Sequence, residues 1–209
     1  MRRVALPLLL SSLLAVLPAP PAEALSAIPP PPVERLASLH KQVRVEGLEQ
    51  RVFTAEHWWQ LTLPGLTAER GFAVETIGQS AQGRPLRHVQ WGNGPVHVLL
   101  WSQMHGDEST ATMALADLFA WLGHDADSWA IQQLRKQLTL HFVPILNPDG
   151  AARFQRRNAQ GIDINRDAAA LATPEARALK SLRDRINAEF GFNLHDQRPG
   201  YRAGNSNLP

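Results

Sequence analysis

The sequence predicts an α/β domain, and three observations carry that prediction. Apolar segments of strand length follow one another from Phe72, strands then alternate with helices, and no internal repeat interrupts the chain. Alternation of that kind lays successive strands side by side in the same direction, so the sheet is expected to be largely parallel in its later part.

The N-terminus stands apart from this domain. Residues 1–24 run Met1-Arg2-Arg3, an apolar "VALPLLLSSLLAVL", and "PAPPAEA" ending on Ala22-Glu23-Ala24. A basic start, a short apolar core and a small-x-small end are the layout of a secretory signal peptide, with cleavage expected after Ala24. The apolar part is too short to span a bilayer, so no stable membrane anchor is expected in the mature chain. With no cysteine, neither a lipid-attached cysteine nor a disulfide framework is possible. A bacterial protein that is periplasmic or secreted fits these features. Residues 25–51 read as a Pro-rich spacer, "IPPPP" at 28–32, followed by an N-terminal helix over 33–50, and the main domain is expected at 52–209.

Charge narrows the partners. Without Arg2, Arg3 and Glu23, 19 basic and 18 acidic residues remain, so the pI near 9.5 reflects a small excess and not a basic face. Nucleic acid is therefore not an expected partner.

Along the domain, "TAEHWWQL" from Thr54 predicts a short capped helix, in which Trp58 and Trp59 supply packing area. "FAVETIG", "LRHVQWG" and "VHVLLWS", separated by "QSAQGRP" and "NGP", predict a β-meander. "STATMALADLFAWL" predicts a helix with Ala111, Leu115, Leu118, Phe119 and Leu122 on one face. "LTLHFVPIL" predicts a strand ending in a turn, "NPDG". Thr173 with Pro174 opens a helix that buries Leu179, Leu182 and Ile186, and "FGFNLHD" is a short strand ending at His195.

Within this layout "MHGDES" at 104–109 has two readings. Asp107, Glu108 and Ser109 are residues a helix N-terminus prefers. Alternatively, His105 and Glu108 lie just past the carboxyl end of a strand, where open α/β sheets gather functional groups, and His195 occupies the same kind of position on a distant strand. Two imidazoles and one carboxylate leave the fourth position of a tetrahedral Zn²⁺ open, the layout of a catalytic site. His97 and His141 lie inside apolar strands and read as packed residues. His40, His57, His88 and His124 read as surface residues. In "RFQRRNAQGIDINRD", Ile162 and Ile164 alternate with Asp163 and Asn165, a strand-like piece that delivers Asn165 and Arg166 at its end. An arginine fork suits a carboxylate or a developing oxyanion; a solvated basic loop is the competing reading.

The segments "GQSAQGRPL" at 78–86, "HGDE" at 105–108, "NPDG" at 147–150, "RRN" at 156–158, "GIDINRD" at 161–167 and "NLHDQ" at 193–197 resemble, in this order, zinc carboxypeptidases of the carboxypeptidase A type. The resemblance covers about residues 52–209. It implies a mixed, mainly parallel, twisted sheet between helices and one Zn²⁺ on His105, Glu108 and His195. It further implies Arg156, ahead of Arg157, as the group that polarises the scissile carbonyl, and Asn165 and Arg166 as the holders of a substrate's terminal carboxylate. The implied activity is removal of a C-terminal residue from a peptide; export from a bacterial cell makes a cell-wall peptide a candidate substrate.

Two departures from that family pattern set further expectations. Family members carry a general-base glutamate and a capping tyrosine well beyond the third ligand, whereas this sequence stops at Pro209, with Glu175 and Glu189 poorly placed and Tyr201 too close to His195. A truncated, incomplete domain is expected on that ground. Asp167, where many members have Asn, is expected to put a negative charge beside the carboxylate site, and Asp196 to orient an imidazole or line the pocket. The alternatives to a carboxypeptidase are an N-acyl amino acid deacylase of the aspartoacylase type and a protein that binds zinc or peptide without turnover.

Overall fold

The computed structural model describes residues 33–196; the expected signal peptide, the Pro-rich spacer, Tyr201 and the C-terminal stretch considered above lie outside them. Among the described residues, five strands form one mixed sheet: β1 (Phe72–Gln79), β2 (Pro85–Gly92), β3 (Val96–Ser102), β4 (Leu138–Val143) and β5 (Phe190–Leu194). Six helices flank it: α1 (Val33–Val43), α2 (Ala55–Thr62), α3 (Thr110–His124), α4 (Trp129–Gln137), α5 (Pro148–Ala152) and α6 (Pro174–Ile186). The spatial order is β1-β2-β4-β3-β5. β3 runs parallel to both β4 and β5, as strand–helix alternation requires, while β1–β2 and β2–β4 are antiparallel.

The meander expectation is corrected at its third strand. β4 lies between β2 and β3, because the "NGP" link bonds to the start of β4 and does not close a hairpin. Gly94 donates its N–H to Leu138 O, Asn93 to Arg135 O, and Thr139 Oγ1 donates to Gly94 O at 2.6 Å. A β-carbon on Gly94 would sit 2.1 Å from the Gln137 carbonyl carbon, so only glycine lets the two segments approach. Three extended residues are enough to cross two strand spacings of about 4.8 Å each.

Both faces of the sheet are covered. On one, Trp58, Phe72, Val89, Trp91, Phe119, Leu122 and Phe142 form the larger core with α2, α3 and α4. On the other, Leu99, Met104, Val143, Leu146 and Ile164 pack with Leu182 of α6. Trp58 is fully buried and donates Nε1–H to Thr112 O, so the tryptophan pair is packing area as expected.

Local chemistry explains the other differences. The first helix ends at Val43, short of residue 50, ahead of a turn in which Gly47 has φ +88°. α4 escaped the periodicity because it buries only Ile131, although Ser128 caps it by accepting from Ile131 N. "NPDG" is the first turn of α5: Asn147 Oδ1 accepts from Gly150 N and Pro148 occupies the first turn. The strand-like "IDIN" is instead a 3₁₀ turn over Ile164–Arg166, because Asp163 caps it by accepting from Asn165 N.

His88 is not on the surface. It is 3% exposed; its Nε2 lies 2.9 Å from His141 Nδ1, and His141 Nε2 lies 2.9 Å from His97 Nδ1, so three imidazoles form a row across β2, β4 and β3. Glu75 on β1 ends the row, 2.8 Å from His88 Nδ1.

Candidate metal centre

The site is built where β3 and β5, neighbours in the sheet, reach their carboxyl ends. Gln103 takes φ +48° directly after β3 and turns the chain so that His105 points inward, 2% exposed. Gly106 then passes so close to α5 that a β-carbon would lie 2.1 Å from the Gly150 carbonyl carbon. α3 begins at Thr110 with no side-chain cap: the Ser109 hydroxyl donates to Arg51 O, and Glu108 faces the histidines. The capping reading of "MHGDES" is thereby set aside.

From β5, His195 Nδ1 comes within 2.7 Å of Glu108 Oε2, and His105 Nδ1 lies 3.0 Å from Glu108 Oε1. One ligand atom from each of the three residues lies within 4.8 Å of the others. Burial pushes the Glu108 carboxyl up, but the His195 and His105 rings beside it outweigh that and hold the group below its ordinary range.

Asp163 completes the arrangement. Its Oδ1 lies 3.1 Å from His105 Nε2; a carboxylate can only accept, so in the neutral ring Nε2 carries the proton and Nδ1 presents its lone pair. That tautomer is the one a metal needs, and a carboxylate behind a ligating imidazole is the usual support for it. Asp163 Oδ2 also accepts from Arg156 Nε at 3.1 Å, and Arg156 Nη1 lies 3.1 Å from His105 Nδ1 and 3.5 Å from Glu108 Oε1. Against the cost of burial, the bonds from Arg156 and His105 keep Asp163 below the usual carboxylate range. Arg157 turns away and donates to Gly161 O. The Asn165 amide nitrogen is 3.4 Å from His195 Nε2, and Arg166 is exposed beside it, its Nη1 donating to Asn165 O.

Two imidazole nitrogens, one carboxylate, no thiolate and a fixed tautomer suit a Zn²⁺ ion with one open position. The family profile described as zinc carboxypeptidase matches residues 67–197. The chain belongs to the zinc carboxypeptidase family.

Proteins similar to it include Carboxypeptidase 2 of Trichophyton rubrum, 26% identical over 160 residues that make up 77% of this chain and 29% of that protein. Carboxypeptidase E of Caenorhabditis elegans is 33% identical over 112 residues, 44% of this chain and 24% of that one. A metallo-carboxypeptidase from Pseudomonas aeruginosa, solved in complex with (2-guanidinoethylmercapto)succinic acid, superposes with a TM-score of 0.61 at 26% identity, over 70% of this chain and 40% of the other. The chain thus spans between 20% and 30% of the length of the curated carboxypeptidases it matches.

Two acidic residues, Asp167 and Asp196, take roles other than those the zinc carboxypeptidase pattern suggested. Asp167 is buried, and its carboxylate accepts from Ala172 N, Thr173 N and Thr173 Oγ1, which fixes the start of α6 and does not charge the substrate site. Burial would raise it, yet the Thr173 and Ala172 bonds hold it below its ordinary value. Replacing Asp167 by alanine strands those donors and is expected to cost about 2 kcal/mol of stability, read as a lower urea midpoint, with zinc affinity unchanged. Asp196 does not touch an imidazole: its carboxylate accepts from Arg51 and Thr110. Glu175 is fully buried on Ala81 N and Asn158 Nδ2, and Glu189 accepts from His97 N at the opposite end of β5.

Asp163 was the residue missed in the sequence. A search for a carboxylate behind each candidate ligand would have raised it, since it sits two positions before the Asn165-Arg166 pair.

Proposed function

We propose that this chain carries the metal and carboxylate-recognition part of a zinc carboxypeptidase site, acting in zinc-dependent release of a C-terminal residue from a peptide. The observation that carries it is the convergence of His105, Glu108 and His195 with Arg156 held against them by Asp163. His105, Glu108 and His195 hold the ion. When bound, zinc supplies a water acidified to a pKa of about 7 and polarises a carbonyl. Arg156, its guanidinium steadied through Nε, presents the remaining donors to the oxygen on which negative charge develops. Asn165 and Arg166 receive the terminal carboxylate, a planar fork meeting a planar acceptor.

Binding without turnover is the second reading, favoured by one observation: among the described residues, Glu175 and Glu189 are both committed away from the site. The panel that separates these readings offers zinc-loaded protein a free-acid peptide, its C-terminal amide, a cell-wall peptide with D-residues and an N-acyl amino acid, each with and without chelator. Chelator-sensitive loss of the terminal residue from free acids alone supports the carboxypeptidase. Retention of the peptide with no product supports silent binding, and release of an acyl group overturns both. Export with cleavage after Ala24 belongs to the same proposal and is checked by N-terminal sequencing of the periplasmic protein.

A further inference from the structure

Arg51 lies before α2, outside residues 67–197 matched by the family profile, yet it reaches the metal centre. Its Nη2 donates both to Asp107 O, at 3.2 Å, and to Asp196 Oδ2. Asp107 lies between His105 and Glu108; Asp196 follows His195. The same Oδ2 accepts from Thr110 Oγ1 at 3.0 Å, Asp196 N points to Glu108 Oε2 at 3.4 Å, and Ser109 Oγ donates to Arg51 O at 2.6 Å. One residue therefore ties together the two segments that carry the three ligands, which are otherwise separate in sequence by 87 residues.

The Arg51 side chain is about half exposed, but that of Asp196 is only 10% exposed, so the pair is shielded more than an ordinary surface ion pair. We propose that Arg51, acting through Asp196 and the Asp107 carbonyl, is a positioning residue that sets the distance between His195 and the His105–Glu108 loop and so raises metal affinity. The inference rests on the metal-site reading above.

Charge alone predicts the opposite sign. A guanidinium near the site repels a cation, so a purely electrostatic Arg51 would weaken zinc binding and its removal would tighten it. Positioning predicts weaker binding on removal, by about tenfold, the low end of what loss of a supporting hydrogen bond behind a ligand costs.

The experiment measures zinc affinity of the full chain by competition with a chromophoric chelator, alongside the melting midpoint of the metal-free protein. Expected are Arg51→Ala about tenfold weaker, Arg51→Lys in between, Asp196→Asn weaker, and the Arg51→Ala/Asp196→Asn double variant no weaker than the weaker single one, all with the metal-free midpoint of wild type. Arg51→Ala binding zinc within twofold of wild type or more tightly, fully additive losses, or losses that follow a lowered metal-free midpoint would each overturn the inference while leaving the metal site standing. A wild-type chain that takes up no zinc overturns the metal-site reading, and the inference with it.

Discussion

His195→Ala is expected to lower zinc affinity by about two to three orders of magnitude, with Glu108→Ala and His105→Ala close behind. Zinc bound by a full set of protein ligands gains roughly 10–16 kcal/mol, or about 3–4 kcal/mol for each, and every 1.4 kcal/mol is a factor of ten. The ligands come from two segments, so losing His195 leaves only the His105–Glu108 loop, with no donor from β5. Asp163→Asn keeps all three ligands and loses only the carboxylate that sets the His105 tautomer, so a smaller loss of about 10- to 100-fold is expected. Equilibrium dialysis with metal analysis separates the two classes. Stoichiometric zinc retained by His195→Ala after dialysis would remove β5 from the site.

The second large effect is loss of stability in mild acid. Glu75 can only accept, so His88 Nδ1 donates to it; neutral His88 then accepts at Nε2 from His141 Nδ1–H, and His141 accepts at Nε2 from His97 Nδ1–H. Every ring is thereby held in one neutral tautomer. Burial, reinforced by the neighbouring His88 and His97, lowers His141 to about 4, and burial also lowers His88 despite Glu75. A histidine that is neutral when folded but titrates near 6.5 when unfolded contributes nothing above pH 6.5. As pH falls from about 6.5 to 4 the unfolded chain takes up the proton first, so stability drops through that window, by about 2 to 3 kcal/mol for His141.

The depressed carboxylates Glu75, Glu108 and Asp163 act in the other window. Their contribution is present above the unfolded carboxylate range of about 4 and disappears below it as they protonate, so it leaves pH 6.5–4.5 to the histidines. Urea denaturation of the metal-free protein at pH 7 and 4.5 reads the effect, and His141→Asn is expected to flatten it. An unchanged midpoint between those pH values would mean that the row takes up protons freely in the folded chain.

Much of the fold and of the site was legible in the sequence, for a physical reason that particular residues show. β1, β2, β3, α3 and α6 announce themselves through side chains that alternate or recur along one segment; Thr54 and Thr173 mark helix starts by accepting from amides of the first turn, and Pro174 by occupying a first-turn position that needs no N–H. His105, Glu108 and His195 stand out because they lie past the carboxyl ends of strands, whereas the alternation that singled out Asn165 and Arg166 belongs to a 3₁₀ turn. α4 stayed hidden because a helix that buries one residue leaves almost no periodic trace, and Asp163 because a carboxylate in a turn looks the same whether it caps, holds an imidazole or faces water.

By itself the sequence determined the α/β class, the family, and which side chains have the chemistry to bind a metal, since these depend on local periodicity and on residue type. Only the tertiary structure decided that β4 enters between β2 and β3, that Asp167 fixes a helix start, that Asp163 serves both His105 and Arg156, and that Arg51 reaches Asp196 across 145 residues. Hydrogen bonds are set by distance in space, and the sequence carries no direct record of which distant segments the packing of two core faces will bring within 3 Å.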